Sequence, residues 1–333
     1  MAINLRPTDK LAVMRTVGVN TFMKLPLVTD LNELDPNDKV DYAIVGIPDD
    51  HGASMRVGQR FAPNKIREMS AMCRAINMEI GTNIQEELLG FDYGDVPVDA
   101  WECHETVNRS AEYIKPLCDR GIIPVTMGGD HYITMGPIRA VAQSLGKPMG
   151  LIHFDSHLDT YEEGYVSEFN DGKYNNGTTI RRAIEGGSLD PKKIVSIGIK
   201  GTLFNEYCYG DMSRDLGITI ITMEDYKKMG GQAVVEKVKE VIGDDPCYLT
   251  FDIDCMDPAY CPGGAVYELG GFTTREIMEM LMGLKYMNII GFDVAEVCPQ
   301  YDVGDITSFT AASFMHFFLA MIGARKRRLA GKE

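Results

Sequence analysis

Asp155, His157 and Asp159 sit at every second position at the end of the apolar run "GLIHFDSHLD" (150–159). Asp252 and Asp254 close a second such run, "CYLTFDIDCMDP" (247–258). Three further apolar runs end in charged groups. "IIPVTMGGDH" ends in Asp130 and His131, "IIGFDVAEVCP" carries Asp293 and Glu296, and "DYAIVGIPDDH" ends in Asp49, Asp50 and His51. In extended chain, side chains alternate with period two, so Asp155, His157 and Asp159 are expected to point the same way, as are Asp252 and Asp254. Carboxylates that converge repel one another, and loss of water adds to the cost. A divalent cation removes both penalties. Four carboxylates balance two divalent ions, and two imidazoles add neutral nitrogen donors. That mixture suits Mn²⁺, Fe²⁺, Ni²⁺ or Zn²⁺ better than a thiolate-seeking metal. A lone Asp-x-Asp is often a helix cap, and Gly-Gly-Asp is an ordinary turn. Their occurrence together at strand ends of one chain points to a binuclear metal site.

These residues need elements to hold them. Strands are predicted over 41–47, 88–96, 122–131, 149–155, 193–199, 218–223, 247–254 and 287–294. Helices are predicted over 61–75, 104–121, 133–146, 231–243, 273–285 and 308–327. The strands are almost continuously apolar, as strands covered on both faces are. Their alternation with helices implies an α/β fold with a parallel sheet flanked by helices, in which ligands bind beyond the carboxyl ends of the strands. There are no repeats, low-complexity segments or linkers. One domain over 1–333 is expected, with 1–38 as an N-terminal extension packed on it.

The chain has 333 residues, 45% of them hydrophobic, and a net charge of -15. Such an acidic chain repels phosphate backbones, so nucleic-acid binding is not expected. The basic tail 324–332 reads as a solvated helix end. No signal peptide is visible, and no apolar stretch approaches about 20 residues, so no membrane span is expected. Eight scattered cysteines without a Cys-x-x-Cys read as reduced thiols of a cytoplasmic protein.

The chain resembles the ureohydrolase (arginase/agmatinase) superfamily, in an agmatinase-like branch. The segments that carry the resemblance are "GIPDDHGASMRVGQRFAPNKIR" (46–67), "GGDH" (128–131), "HFDSHLD" (153–159), "FDIDCMDPAYCPG" (251–263), "GGFTTRE" (270–276) and "DVAEVCP" (293–299). The resemblance implies a three-layer αβα fold around an eight-stranded parallel sheet. It also implies two metal ions, Mn²⁺ or Ni²⁺. One would take His131, Asp155, Asp159 and Asp252, the other His157, Asp155, Asp252 and Asp254, with Asp155 and Asp252 bridging. A water shared by the ions, ionised at neutral pH, would attack a guanidinium carbon and release urea, or a urea derivative, and an amine. Asp159 would move the proton and Glu296 would grip the guanidinium. Asp130, His153 and Asp293 would brace the site. A trimer or hexamer is implied, with a paralogous second subunit as a further option.

Two loops depart from the family pattern. Asn176 stands where His-Gly-Thr is usual, and Asn cannot titrate. His51 is the expected substitute for the missing imidazole. "GGAVYELG" (263–270) replaces a threonine-rich stretch, which makes Val266 and Tyr267 expected substrate contacts. These changes suggest a guanidino acid, guanidine, an alkylguanidine or a biguanide as substrate. The competing readings are an ordinary agmatinase, a non-catalytic subunit supporting an active paralogue, and a one-zinc deacetylase relative. The complete set of six ligand positions counts against a metal-free subunit, and its carboxylate number counts against the single zinc.

Overall fold

Eight strands run parallel in a single sheet: β1 (Tyr42–Ile47), β2 (Gly90–Asp95), β3 (Ile123–Gly128), β4 (Met149–Phe154), β5 (Leu189–Ile199), β6 (Thr219–Thr222), β7 (Cys247–Asp252) and β8 (Ile289–Ala295). Their order is β2-β1-β3-β8-β7-β4-β5-β6, with every neighbouring pair parallel. The structure is a computed structural model that describes residues 5, 14–162, 173–203 and 211–332.

Alternating side chains of each strand enter opposite layers. Ile44, Val125, Ile152, Phe154, Leu249 and Phe251 pack against α1 (Ala62–Ser70), α5 (Met223–Ile242), α6 (Thr274–Leu284) and α7 (Ile306–Leu329). On the other face, Ala43 and Val45 meet α2 (Cys103–Cys118), while Leu151 and Tyr248 meet α3 (Met135–Leu145) and α4 (Thr179–Glu185). The result is the three-layer αβα architecture that the resemblance implied.

Several local signals account for these elements. Thr273 and Glu276 form a reciprocal capping box that starts α6. Helix α5 begins eight residues earlier than the sequence suggested, at Met223, and Gly230 breaks its path at φ 79°. Helix α7 is long and apolar enough to cross a membrane by length and composition, contrary to the expectation for this chain. Its apolar window is 83% buried within the protein, so its side chains serve the core. Phe22, Met23, Leu25, Val28 and Leu31, within the expected extension, are also buried. Arg67 of α1 grips Asp92 through two nitrogens, at 2.8 and 2.9 Å, and Asp95 at 2.6 Å. This pairing fixes α1 against β2 and so anchors the loop 48–61 at the sheet's carboxyl edge.

Candidate active site

The six expected metal ligands meet at the carboxyl ends of β3, β4 and β7. His131 Nδ1 lies 2.8 Å from Asp159 Oδ2, 3.0 Å from Asp155 Oδ2 and 3.3 Å from Asp252 Oδ2. His157 Nδ1 lies 3.1 Å from Asp254 Oδ2 and 3.4 Å from Asp155 Oδ1. Asp155 therefore stands between the two groups. All of these side chains are buried except His157, which is partly exposed.

Strand alternation does not produce this convergence, although the spacing suggested it. β4 ends at Phe154 and β7 at Asp252. Asp155 receives the His157 N–H at 2.6 Å, which turns the chain back towards the site. Asp159 has a φ of 51°, an uncommon left-handed conformation for a residue with a Cβ. Asp254 lies in the 3-10 turn Ile253–Cys255, where Asp252 Oδ1 accepts its N–H at 2.8 Å. The groups converge because the chain turns sharply past each strand end. The Gly-Gly turn before His131 has a steric cause: a Cβ on Gly129 would stand 2.0 Å from the Asp49 carbonyl oxygen.

A row of polar residues crosses the sheet one layer below. Thr126, Asp293, Thr250, His153 and Ser196 stand in register on β3, β8, β7, β4 and β5, and all are fully buried. Thr250 Oγ1 donates to Asp293 Oδ1 at 2.6 Å and so accepts the His131 Nε2–H at 2.8 Å. This fixes the His131 tautomer and leaves a lone pair on Nδ1. His153 contacts Asp155 Oδ2 at 2.8 Å and Ser196 Oγ at 3.0 Å. Asp293 and His153 thus brace the site, as the resemblance implied. Asp130 accepts the N–H groups of Gly52 (2.7 Å) and Tyr132 (2.8 Å), joining the loop after β1 to His131's own turn.

The electrostatics call for a cation. His131 Nδ1 is a buried nitrogen with no hydrogen-bond partner, facing three carboxylates. A proton placed there would be tightly held: burial lowers the His131 pKa, but Asp155 and Asp159 overcome it and raise the value well above normal. For His157, burial is likewise overcome by Asp254 and Asp155. Burial, then the charges of Asp254 and Asp155, pushes Asp252 well above the carboxylate range. Burial, then Asp155, raises Asp159. In Asp155, burial is outweighed by the neighbouring His131 and His153 rings, which hold its pKa well down. Divalent ions satisfy the lone pairs and cancel the repulsion, so the donors fit such ions.

Above this floor opens a cavity of about 440 Å³. Five of the six expected ligand side chains line it, with Glu296, Asn176 and Val266 from the expected substrate set; Asp155 is not part of the lining. Glu296 is buried and has a φ of 64°. It accepts Gln59 Nε2 at 2.8 Å, His131 N at 2.7 Å and Asn176 Nδ2 at 3.3 Å. A carboxylate has about four lone-pair sites, so one remains open, and the long Asn176 bond occupies another. Burial raises the Glu296 pKa against the donors Gln59 and His131 N–H.

Two expected residues are not brought to the cavity. His51 is held by Asp49, with Nδ1 at 3.0 Å and its backbone N–H at 2.8 Å from the same oxygen. The Arg56 guanidinium covers the Tyr267 ring at 5.1 Å, and the neighbouring Tyr301 at 4.8 Å, outside the lining. Conversely, Ser54, Tyr161, Thr202 and Glu268 line the cavity without having been anticipated. Ser54 and Glu268 fall within stretches already singled out, but their entry into the cavity depends on loop turns that spacing does not reveal. Gly201, at φ 93°, lets Glu268 lie against the chain and accept the Thr202 N–H at 3.4 Å.

The arginase family model matches residues 40–320. Guanidinopropionase of Pseudomonas aeruginosa is 33% identical over 325 residues, covering 98% of each chain. Mitochondrial agmatinase of Gallus gallus is 35% identical, covering 93% of this chain and 87% of its own. The solved structure of proclavaminate amidino hydrolase from Streptomyces clavuligerus superposes with a TM-score of 0.83 at 30% identity, covering 94% of this chain and all of the other. The chain belongs to the arginase family. It is a hydrolytic enzyme of the amidinohydrolase class, and its His/Asp cluster implies divalent metal ions.

Proposed function

We propose that the protein hydrolyses a C–N bond of a small guanidino compound, giving urea or a urea derivative and an amine. The observation that carries this reading is the buried, unpartnered His131 Nδ1 aimed at three carboxylates beneath a cavity that ends at Glu296. His131, Asp155, Asp159 and Asp252 would hold one ion. His157, Asp155, Asp252 and Asp254 would hold the other. Two Mn²⁺ or Ni²⁺ ions, when bound there, would supply a water of lowered pKa.

The chain's own residues do the rest. Glu296 accepts guanidinium N–H groups through its open lone pair and through the site that Asn176 holds weakly. Asn176 orients the substrate without titrating. Asp159 takes up the proton released as water adds to the carbon and returns it to the departing nitrogen. No lysine or arginine lines the cavity among the described residues, which suits a cationic head group.

The same proposal includes a trimer or hexamer, which light scattering tests. It also includes a cytoplasmic setting, which suits scattered cysteines without a Cys-x-x-Cys pair. Cys208 lies outside the described residues. The deciding experiment is urea release from a panel spanning guanidine, alkylguanidines, guanidino acids, agmatine and biguanides, with protein loaded separately with Mn²⁺ and Ni²⁺. Turnover of at least one compound is expected. Protein that holds two ions and releases urea from none of them would overturn the proposal.

A further inference from the structure

Asn176 touches Glu296 from the loop that precedes α4. Its placement is set from behind. Two residues earlier, the Tyr174 ring lies flat on His104 of α2, with centroids 4.1 Å apart and planes 10° apart. His104 Nδ1 is 3.0 Å from the hydroxyl of Tyr132, the residue that follows His131. Cys103, also on α2, donates its thiol to the Tyr174 carbonyl at 3.6 Å. Burial, then Arg139, keeps the His104 pKa below its ordinary value. Ahead of the stack, the Asn176 N–H donates to the Gly52 carbonyl at 2.9 Å, and Asn175 caps the following turn.

We propose that His104 is a positioning residue for the reaction: by clamping Tyr174, it sets Asn176 across Glu296 and so shapes the guanidinium seat. His104 itself lies outside the cavity lining and touches neither a metal ligand nor Glu296. It reaches Asn176 through the Tyr174 loop and, separately, the turn after His131 through the Tyr132 hydroxyl. Three of the points that hold this short segment are the Tyr174 ring on α2, the Asn176 N–H on the loop after β1, and Gly177, whose carbonyl accepts the Tyr161 N–H at 3.0 Å. Release of the first leaves the Asn176 amide, already at a long 3.3 Å from Glu296, free to leave the carboxylate. Glu296 keeps its bonds to Gln59 and His131 N–H, so the metal floor stays intact, while the guanidinium loses the orienting amide of Asn176 and is bound less tightly.

This inference rests on the guanidino-hydrolase reading, and two readouts separate their fates. Hydrogen exchange of the peptide covering 173–178 needs no substrate. His104→Ala is expected to speed its exchange in the metal-loaded holoenzyme, with two ions per chain retained. Steady-state kinetics on the best substrate of the panel supply the second readout. His104→Ala is expected to raise KM about threefold to tenfold, the size of one aromatic contact, with a smaller change in kcat. Tyr174→Phe, which keeps the ring, should resemble the wild type, and Tyr174→Ala should resemble His104→Ala. In an Asn176→Ala background, His104→Ala should change KM by less than about twofold, because coupled residues are not additive. Equal KM effects with and without Asn176, or unchanged exchange over 173–178, would overturn the clamp. Absence of urea from every compound, with faster exchange in His104→Ala, would sink the activity and leave the clamp standing.

Discussion

The floor and the rim of the cavity are built by opposite means. At the floor, His131, Asp155, Asp159, Asp252 and Asp254 are buried and rest on a polar row that runs across five strands in register. At the rim, Ser54, Asn176, and the pair Val266 and Glu268 come from three separate loops and are half-buried or exposed. Loops tolerate change and a strand register does not: a one-residue slip would reverse every side chain. The comparison teaches that reaction type and substrate choice are carried by different parts of the chain. Substitutions in the two regions should fail in different ways.

The largest effect belongs to the floor. Asp155→Ala or Asp252→Ala removes a carboxylate that faces His131 and is expected to abolish urea release and lower the bound metal below two ions per chain. Metal analysis with a turnover assay checks this. Full turnover in either variant would break the ligand assignment and, with it, the contrast between the regions. Next comes the support below. Thr250→Val leaves the His131 Nε2–H and Asp293 Oδ1 without their shared hydroxyl. Metal affinity should fall about 10- to 100-fold, as is usual when a ligand's outer partner is lost. Calorimetric titration of metal-free protein measures it, and an unchanged affinity would show that the polar row is not a support.

The sequence made the floor legible far more than the rim. Carboxylates and histidines closing apolar runs are a chemical signal that survives without any alignment of strands. The spacing argument was right about which residues meet and wrong about how, because turns at Asp155, Asp159 and Asp254 do the aiming. Thr250 and Asp293 form a pair only because β7 and β8 are neighbours in register, which a single strand's sequence does not announce. At the rim, His51 looked like a replacement imidazole, but Asp49 two residues earlier captures it. Glu268 went unread because its approach depends on the left-handed turn at Gly201.

A third effect is smaller and depends on pH. In the metal-free protein, His131 and His157 have pKa values raised well above normal, and Asp252 and Asp159 are raised too. A group with a raised folded-state pKa binds protons better when folded, so its stabilisation is complete below the unfolded value. It is lost as pH rises through the folded value. For the two histidines, that loss begins above about 6.5. Metal-free protein should therefore lose stability on going from about pH 6 to pH 8.5. Metal binding displaces those protons, so affinity should rise by up to about tenfold per pH unit for each proton released. Thermal melts with and without metal across that range should show a Tm gap that widens with pH. A gap that narrows would mean that the histidines are not the groups displaced.

The smallest effect is expected at the rim's outer edge, where sequence and structure disagree most plainly. The family departure made Tyr267 a substrate contact, yet its ring lies under Arg56 and outside the lining, while its neighbour Val266 faces inward. Tyr267→Ala removes one of the two rings that hold the Arg56 guanidinium, a contact of about 0.5–1 kcal/mol at an exposed site. It should therefore lower Tm slightly and shift KM by less than about twofold. Val266→Leu adds bulk directly to the cavity wall and should discriminate among alkylguanidines of different size far more strongly. Measuring KM across such a series for both variants tests the ranking. If Tyr267→Ala instead raised KM tenfold with Tm unchanged, the ring would belong to the substrate, and the boundary between wall and edge would have to move outward by one residue.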